Sequence, residues 1–300
     1  NNRFEIIHIR SLMPCLFLFP FIFFIKSKVI FDMRGLWIDE KVDRYGLNKN
    51  SLIYKFFKKL EIFFLKKSYI IICLTENSKK ILFDSYKINK DKIKIIPTCV
   101  NNNNFFKNIK TVNKSDLIVF AYVGSTTGAY NIIKVLDIFI NLLRLNHKYR
   151  LNIYTTDKPD DIKNYFQNNY INENFYKIES IPHNKLHIEL KKCNLGIFYL
   201  KENFSILSSF PTKIGEFLSL GMPIICNKFN DDIININEKF KIGINIDFDN
   251  VNFNRLNKSI YNIINSTEIS KNCINYTNKY LSLEFGIKEY SKIYNSITYE

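Results

Sequence analysis

Apolar positions along this chain fall into two rhythms. Short apolar runs at Phe4–Ile9, Lys28–Asp32, Tyr69–Leu74 and Lys92–Ile96 have the length of buried strands. Between them, Ser51–Lys67 places Leu52, Phe56, Phe57, Leu60 and Phe63 at three-to-four spacing, which predicts a helix, and Thr75 opens a shorter one through Asp84. The run Leu12–Ile25, LMPCLFLFPFIFFI, is apolar throughout and carries Pro14 and Pro20. It falls short of the roughly 20 residues that a spanning helix needs. With Arg10 as its sole basic flank it fits a signal peptide poorly. A buried crossover helix is expected there, ahead of a membrane-surface contact and of a true span. The order is β-α-β-α-β, the signature of a parallel sheet wrapped by helices.

The stretch Asn101–Lys114, NNNNFFKNIKTVNK, has no period and marks a domain boundary. A second alternation follows, with strands at Leu117–Val123, Leu151–Tyr154, near Tyr176–Ile181, Leu195–Leu200 and Pro223–Cys226, and a weaker one at Ile242–Ile246. Helices are expected at Asn131–Leu145, Lys185–Lys192 and Asn254–Asn265, and an amphipathic helix from Glu284 to about Ser296 closes the chain. The fold class is α/β: two Rossmann-like parallel-sheet domains facing a cleft. The expected domains are residues 1–108, 115–284 and a terminal helix over 285–300. Three hundred residues suit two such domains. The first residue is Asn rather than Met and the chain opens almost at once into a strand, so a missing amino-terminal portion is expected.

Net charge is +15, arising from 36 Lys against 7 Arg. Abundant Asn, Ile, Lys, Phe and Tyr match AT-rich coding, so much of the lysine excess belongs to solvated faces. A basic surface still favours anionic lipid. No arginine-rich patch or nucleic-acid motif is present, and no nucleic-acid partner is expected. Six cysteines without a C-x-x-C pair or zinc-like spacing read as buried thiols in a reducing compartment.

Chemistry concentrates in Ser208–Asn227, SSFPTKIGEFLSLGMPIICN. Ser208, Ser209, Pro211 and Thr212 form a helix-start cluster; Gly221 and Pro223 stop the helix, and a strand follows. The helix start offers unpaired N–H groups and partial positive charge to a phosphate. Lys213 and Glu216 stand just behind it, which suggests a nucleotide site: phosphate on the helix end, ribose hydroxyls on the acid. An exposed helix acid with no ligand has equal weight on this segment alone.

Elsewhere, Phe120–Tyr130 sets Gly124 and Gly128 around Ser125, Thr126 and Thr127, a loop able to approach a ligand or simply a tight turn. Phe31–Glu40, FDMRGLWIDE, delivers Asp32 and Arg34 to a strand's carboxyl end, where open parallel sheets bind ligands. Arg34 either grips a phosphate or pairs with Asp32. His8 ends the first strand. His183 and His187 lie four apart without a third ligand, so surface or capping roles are expected and no metal.

Taken in order, these segments resemble glycosyltransferase family 4, of the GT-B fold, along nearly the whole chain. The family carries two glutamates separated by seven residues; Glu216 matches the second and Ser208 stands at the first. The resemblance implies that Glu216 holds the donor ribose, while the sugar contact of the first glutamate does not carry over to Ser208. In the glycine loop Ser125 takes the family's arginine place and no lysine precedes Lys134, which moves diphosphate binding to Lys213 and the helix beginning near Thr212. Main chain at Ile181 or Pro182 would meet the nucleobase. The family's His-x-His strand end is His8 and Arg10 here, and the D-x-R-G-x-W segment resembles bacterial enzymes that build surface polysaccharides.

The implied activity is retaining transfer of a sugar, expected from a UDP-sugar, to a glycan or lipid-linked acceptor, with neither cofactor nor metal. Expected catalytic residues are His8, Arg34 and Lys213; expected donor-binding residues are Gly124, Ser125, Ile181, Ser208, Thr212, Lys213 and Glu216. A cytoplasmic setting is expected, with peripheral contact on the inner face of an anionic membrane. The rivals are a UDP-sugar 2-epimerase-like isomerase and a non-catalytic membrane- or partner-binding module of the same fold.

Overall fold

The computed structural model describes residues 4–101 and 116–298. In the first half, β1 (Ile6–Arg10), β2 (Lys28–Asp32), β3 (Ile70–Cys73) and β4 (Ile93–Ile95) form a four-stranded sheet in that order, every pairing parallel. Its connections hold α1 (Met13–Leu18), α2 (Trp37–Tyr45), α3 (Leu52–Lys67) and α4 (Glu76–Tyr86). Strand periodicity divides the apolar residues. Val29, Phe31 and Ile71 face one core with Phe64 and Leu65 of α3, whereas Ile30, Ile70 and Ile72 face another. The last helix, α12 (Leu283–Thr298), covers that second face with Ile293 and Ile297.

The second half holds six parallel strands: β5 (Ile118–Val123), β6 (Tyr149–Tyr154), β7 (Tyr176–Glu179), β8 (Leu195–Ile197), β9 (Ile224–Asn227) and β10 (Gly243–Ile246). Their order is β10-β9-β8-β5-β6-β7, so the sheet grows one way from β5 and the other way from β8. The carboxyl ends of these two strands form the topological switch point, where such sheets bind ligands. Helices α5 (Ile132–Leu145), α6 (Asp160–Asn168), α7 (His183–Leu190), α8 (Thr212–Ser219), α9 (Asp231–Phe240), α10 (Phe253–Ile264) and α11 (Thr267–Tyr280) pack around it. In α5, Ile132, Val135, Leu136, Phe139, Leu142 and Leu143 are buried at helical spacing.

The chain passes between the halves at Val100 and Ser282, which pair side by side; the N–H of Val100 donates to Leu281 and that of Leu283 to Val100. Two carboxylates stitch the halves elsewhere. Asp232 accepts from the N–H groups of Glu76 and Asn77 at 2.7 and 2.9 Å, capping α4, and Asp43 accepts from Ser205 N–H at 2.9 Å.

The expected strands all form, with ends shifted by a residue or a few. The expected boundary at Asn101–Lys114 lies, from residue 102 on, outside the described residues. Helices α2, α6, α9 and α11 carried no separate expectation. The run Leu12–Ile25 departs from its expectation of one buried helix. It yields only the six residues of α1 and a 3-10 turn at Phe19–Phe21. Pro14 sits in the first turn of α1 and Pro20 in the first turn of the 3-10 segment, so no long helix can continue through it. Leu12, Cys15 and Ile22 are buried, while five phenylalanines of the run remain exposed. Among the described residues no helix is long and apolar enough to cross a membrane.

Candidate functional site

The helix start in Ser208–Asn227 forms as the residue types require. Pro211, at φ −62° and ψ 130°, precedes α8, and Gly221 at φ +70° lies just beyond its end. From Lys213 to Ser219 the helix is buried. Two glycines permit that fit: a Cβ on Gly196 would lie 2.4 Å from Phe217, and one on Gly215 would lie 2.7 Å from Val100. Helix α8 is thus wedged between the six-stranded sheet and the crossing point of the halves.

Lys213 is buried, 6% exposed, and its Nζ has no hydrogen-bond partner among the described residues. The amine sits in an aromatic box, 3.7 Å from the Tyr130 ring centre, 4.8 Å from Tyr122 and 5.6 Å from Phe198. Gly124, at φ +105°, leaves room for it; a Cβ there would come 3.3 Å from Nζ. Burial pulls the lysine from 10.5 down to about 7, with Glu216 acting in the opposite direction. An ammonium held by ring faces can meet an anion without first breaking a hydrogen bond.

Glu216 lies one turn on and is buried rather than an exposed helix acid. Its Oε1 is 2.7 Å from Nε2 of His183, the first residue of α7. That contact ties α8 to the loop carrying half-buried Ile181. His183 is exposed at the surface, as a surface histidine should be, and its ring meets the candidate ribose acid. Among the described residues no group of three or more His, Cys, Asp or Glu side chains is placed to hold a metal ion.

The glycine loop is held by an acid. Oδ2 of Asp157 accepts from Ser125 Oγ, Thr126 N–H and Thr126 Oγ1 at 2.9, 2.7 and 2.9 Å, bonds that keep its carboxyl below the usual carboxylate range. Tyr122 OH donates to the Ser125 carbonyl at 2.5 Å. Donors of the loop are thus already turned to a carboxylate, and free cationic character lies instead at Lys213 and the start of α8.

Thr212, the residue before Lys213, meets a different space. It lines a cavity of about 900 Å³ with His8, Arg10, Asp32 and Arg34 from the first sheet and Tyr290 and Tyr294 from α12. Parallel register places Arg10 beside Asp32 at the sheet's carboxyl edge. His8 Nδ1 is 2.6 Å from the Tyr294 hydroxyl, and its Nε2 is 3.8 Å from Asp32. Tyr290 OH donates to Asp32 Oδ2 at 2.8 Å, while the buried Oδ1 has no hydrogen bond among the described residues. Asp32 takes these partners, and among the described residues it forms no ion pair with Arg34. Arg34 adopts φ +57°, a conformation that costs a non-glycine residue energy.

The expected residues therefore separate into two neighbouring groups joined by α8. Gly124, Ser125, Ile181, Lys213 and Glu216 gather at the switch point; His8, Arg34 and Thr212 gather around the cavity. Ser208 joins neither, being fully buried in the 3-10 turn Phe204–Ser208 with its carbonyl accepting from Ser78. Sequence reasoning missed His183 as a partner of Glu216, Asp157, Tyr130, and Arg44 of α2. Arg44 lines a cavity of about 380 Å³ with Ser125 and Tyr130.

Solved structures share this arrangement. Sucrose-phosphate synthase from Thermosynechococcus elongatus superposes with a TM-score of 0.72 at 12% identity, over 98% of this chain and 74% of that one. HepE from Anabaena, solved in complex with UDP, gives 0.73 at 12% over 98% and 79%. WaaG, a glycosyltransferase involved in lipopolysaccharide biosynthesis, gives 0.65 at 12% over 91% and 79%. At such identities the likeness is one of fold, and the fold is GT-B. No curated protein matches the sequence. Residues 104–280, more than half of the chain, match the family of group 1 glycosyl transferases. The chain, with its switch-point lysine and glutamate on one short helix, belongs to the group 1 glycosyl transferases.

Proposed function

We propose that the protein is a retaining glycosyltransferase of family 4 that moves a sugar from a UDP-sugar to a glycan or lipid-linked acceptor in surface-polysaccharide synthesis. The observation that carries the proposal is the start of α8: a buried lysine with no hydrogen-bond partner among the described residues and, one turn on, a buried glutamate, presented at the switch point of a parallel sheet. Glu216 accepts hydrogen bonds from the ribose hydroxyls, and main chain near Ile181 meets the base. Lys213 and the N–H groups opening α8 stabilise the charge that builds on the departing diphosphate, which is where preorganised donors accelerate a transfer. His8, Arg10 and Arg34 line the acceptor side across Thr212. The UDP held by HepE supports uridine as the base, and WaaG supports a polysaccharide setting. Six thiols, none of them in a disulfide, support a reducing, cytoplasmic compartment.

The test is product analysis. Incubation with a panel of UDP-sugars and glycan or lipid-linked acceptors should release UDP only when donor and acceptor are both present. The new glycosidic bond should keep the donor's anomeric configuration by NMR coupling constants. Release of a 2-epimerised sugar without any acceptor would assign the chain to isomerases instead, and no turnover with no nucleotide binding would assign it to non-catalytic modules.

A further inference from the structure

Away from the cleft, the segment after β1 and the outer side of α3 make one surface of unusual composition. Phe17, Phe21, Phe23 and Phe24 are 81, 61, 68 and 84% exposed. Helix α3 adds exposed Leu52 and Phe56. The two segments are continuous: Phe19 and Phe23 pack on Phe63 of α3 with ring centres 5.4 and 5.9 Å apart, and Lys67 Nζ stands 5.8 Å over the Phe23 ring. Single exposed apolar residues need no explanation, but a contiguous patch of aromatic rings marks a contact site.

The charge around these rings selects the partner. Lys26, Lys55, Lys59, Lys66 and Lys67 are all exposed. Residues 11–31 contain no acid, and the one acid of α3, Glu61, is buried against Lys58 at 2.7 Å. Within these two segments the face therefore offers aromatic rings and ammonium groups with no exposed carboxylate, and exposed Glu5, whose carbonyl accepts from Lys28 N–H, stands beside it. Rings that settle at the boundary of headgroups and acyl chains, beside lysines that meet phosphate, are the combination an anionic bilayer surface rewards.

We propose that this face docks the protein on an anionic lipid bilayer, with Phe17, Phe21, Phe23 and Phe24 entering the interface and Lys26, Lys55, Lys59, Lys66 and Lys67 meeting lipid phosphates. The segment begins directly after Arg10, which lines the 900 Å³ cavity, so docking holds the acceptor side of the cleft beside the membrane. This surface goes beyond the donor-site proposal and does not depend on it.

Vesicle co-sedimentation of the full chain tests it, with vesicles of phosphatidylcholine alone and of equal parts phosphatidylcholine and phosphatidylglycerol. The chain should sediment with the mixed vesicles and stay free of the neutral ones. Combined Phe17→Ser, Phe21→Ser, Phe23→Ser and Phe24→Ser changes should weaken partition on the order of tenfold or more. Lys55→Gln, Lys59→Gln, Lys66→Gln and Lys67→Gln together should remove the salt-sensitive part of binding. Calorimetric UDP binding should be unchanged in both sets, which separates loss of docking from loss of the donor site or of the fold. Equal sedimentation with neutral vesicles, or phenylalanine variants that partition like the parent, would overturn the proposal. So would a parent that ignores both vesicles yet becomes monomeric only when the phenylalanines are replaced, since the face would then join two copies of the chain.

Discussion

Lys213 offers a prediction in protons. With its pKa lowered to about 7 by burial, about half of the molecules carry the ammonium at pH 7. A diphosphate that settles against Nζ pairs with the charged form, so binding UDP draws the proton onto the lysine. Uptake from this group should be about half a proton per UDP at pH 7 and approach one about a pH unit higher. Apparent affinity should be flat below pH 7 and weaken toward about tenfold per unit above it. Calorimetry in buffers of differing ionisation enthalpy measures the uptake directly. The terminal phosphate of UDP titrates near pH 6, so measurements between about pH 7.5 and 8.5 isolate the lysine. Lys213→Met keeps the apolar stem among Tyr122, Tyr130 and Phe198 but removes the charge. It should abolish the uptake and weaken UDP by about 1.5–3 kcal/mol, the range for a hydrogen bond to a charged group. Equal proton uptake in parent and variant would refute the reasoning, as would an affinity independent of pH across this window.

The same lysine sets a stability trend. Its folded pKa lies below the ordinary 10.5, so between about pH 7 and 10 the unfolded chain binds more protons than the folded one. The parent should gain up to about 1.4 kcal/mol of stability from this group per pH unit in that range, and Lys213→Met should lack the gain in urea titrations at several pH values. His183→Ala leaves Glu216 without its 2.7 Å partner at a side chain that is 75% exposed. Its melting temperature should hold while calorimetric UDP affinity falls by about 0.5–1.5 kcal/mol. Gly196→Ala drives a methyl into Phe217 and should cost about 1–3 kcal/mol in chemical denaturation, with the loss spread through the second half.

Much of this architecture was legible because parallel strands buried on both faces leave continuous apolar runs. Lys28–Asp32 matches its expected bounds, and α5 and α3 differ from theirs by one residue. Leu12–Ile25 misled for the opposite reason. Apolar content reports that a segment avoids water, not what covers it, and two prolines break this one so that its rings point outward. Within the site, Gly221 and Pro211 announced where α8 starts and stops. Its partners were hidden, since His183 and Glu216 are 33 residues apart and meet only through the sheet order. Asp157 carried no signal at all, because its role is set by where β6 ends relative to the glycine loop. Tyr290 of α12 takes Asp32 from a position 258 residues away, a contact that no pattern around Arg34 announces.

The central claim is that Glu216 reads the ribose of a bound nucleotide, and a two-by-two calorimetric experiment on the full chain tests it most directly. Parent and Glu216→Ala are each titrated with UDP and with 2′,3′-dideoxy-UDP. The parent should prefer UDP by about 2–3 kcal/mol, as for hydrogen bonds accepted by a buried carboxylate, and the variant should bind both ligands equally weakly. A variant that keeps the parent's affinity and its preference for the ribose hydroxyls would contradict the assignment of Glu216 and, with it, the donor site built on α8.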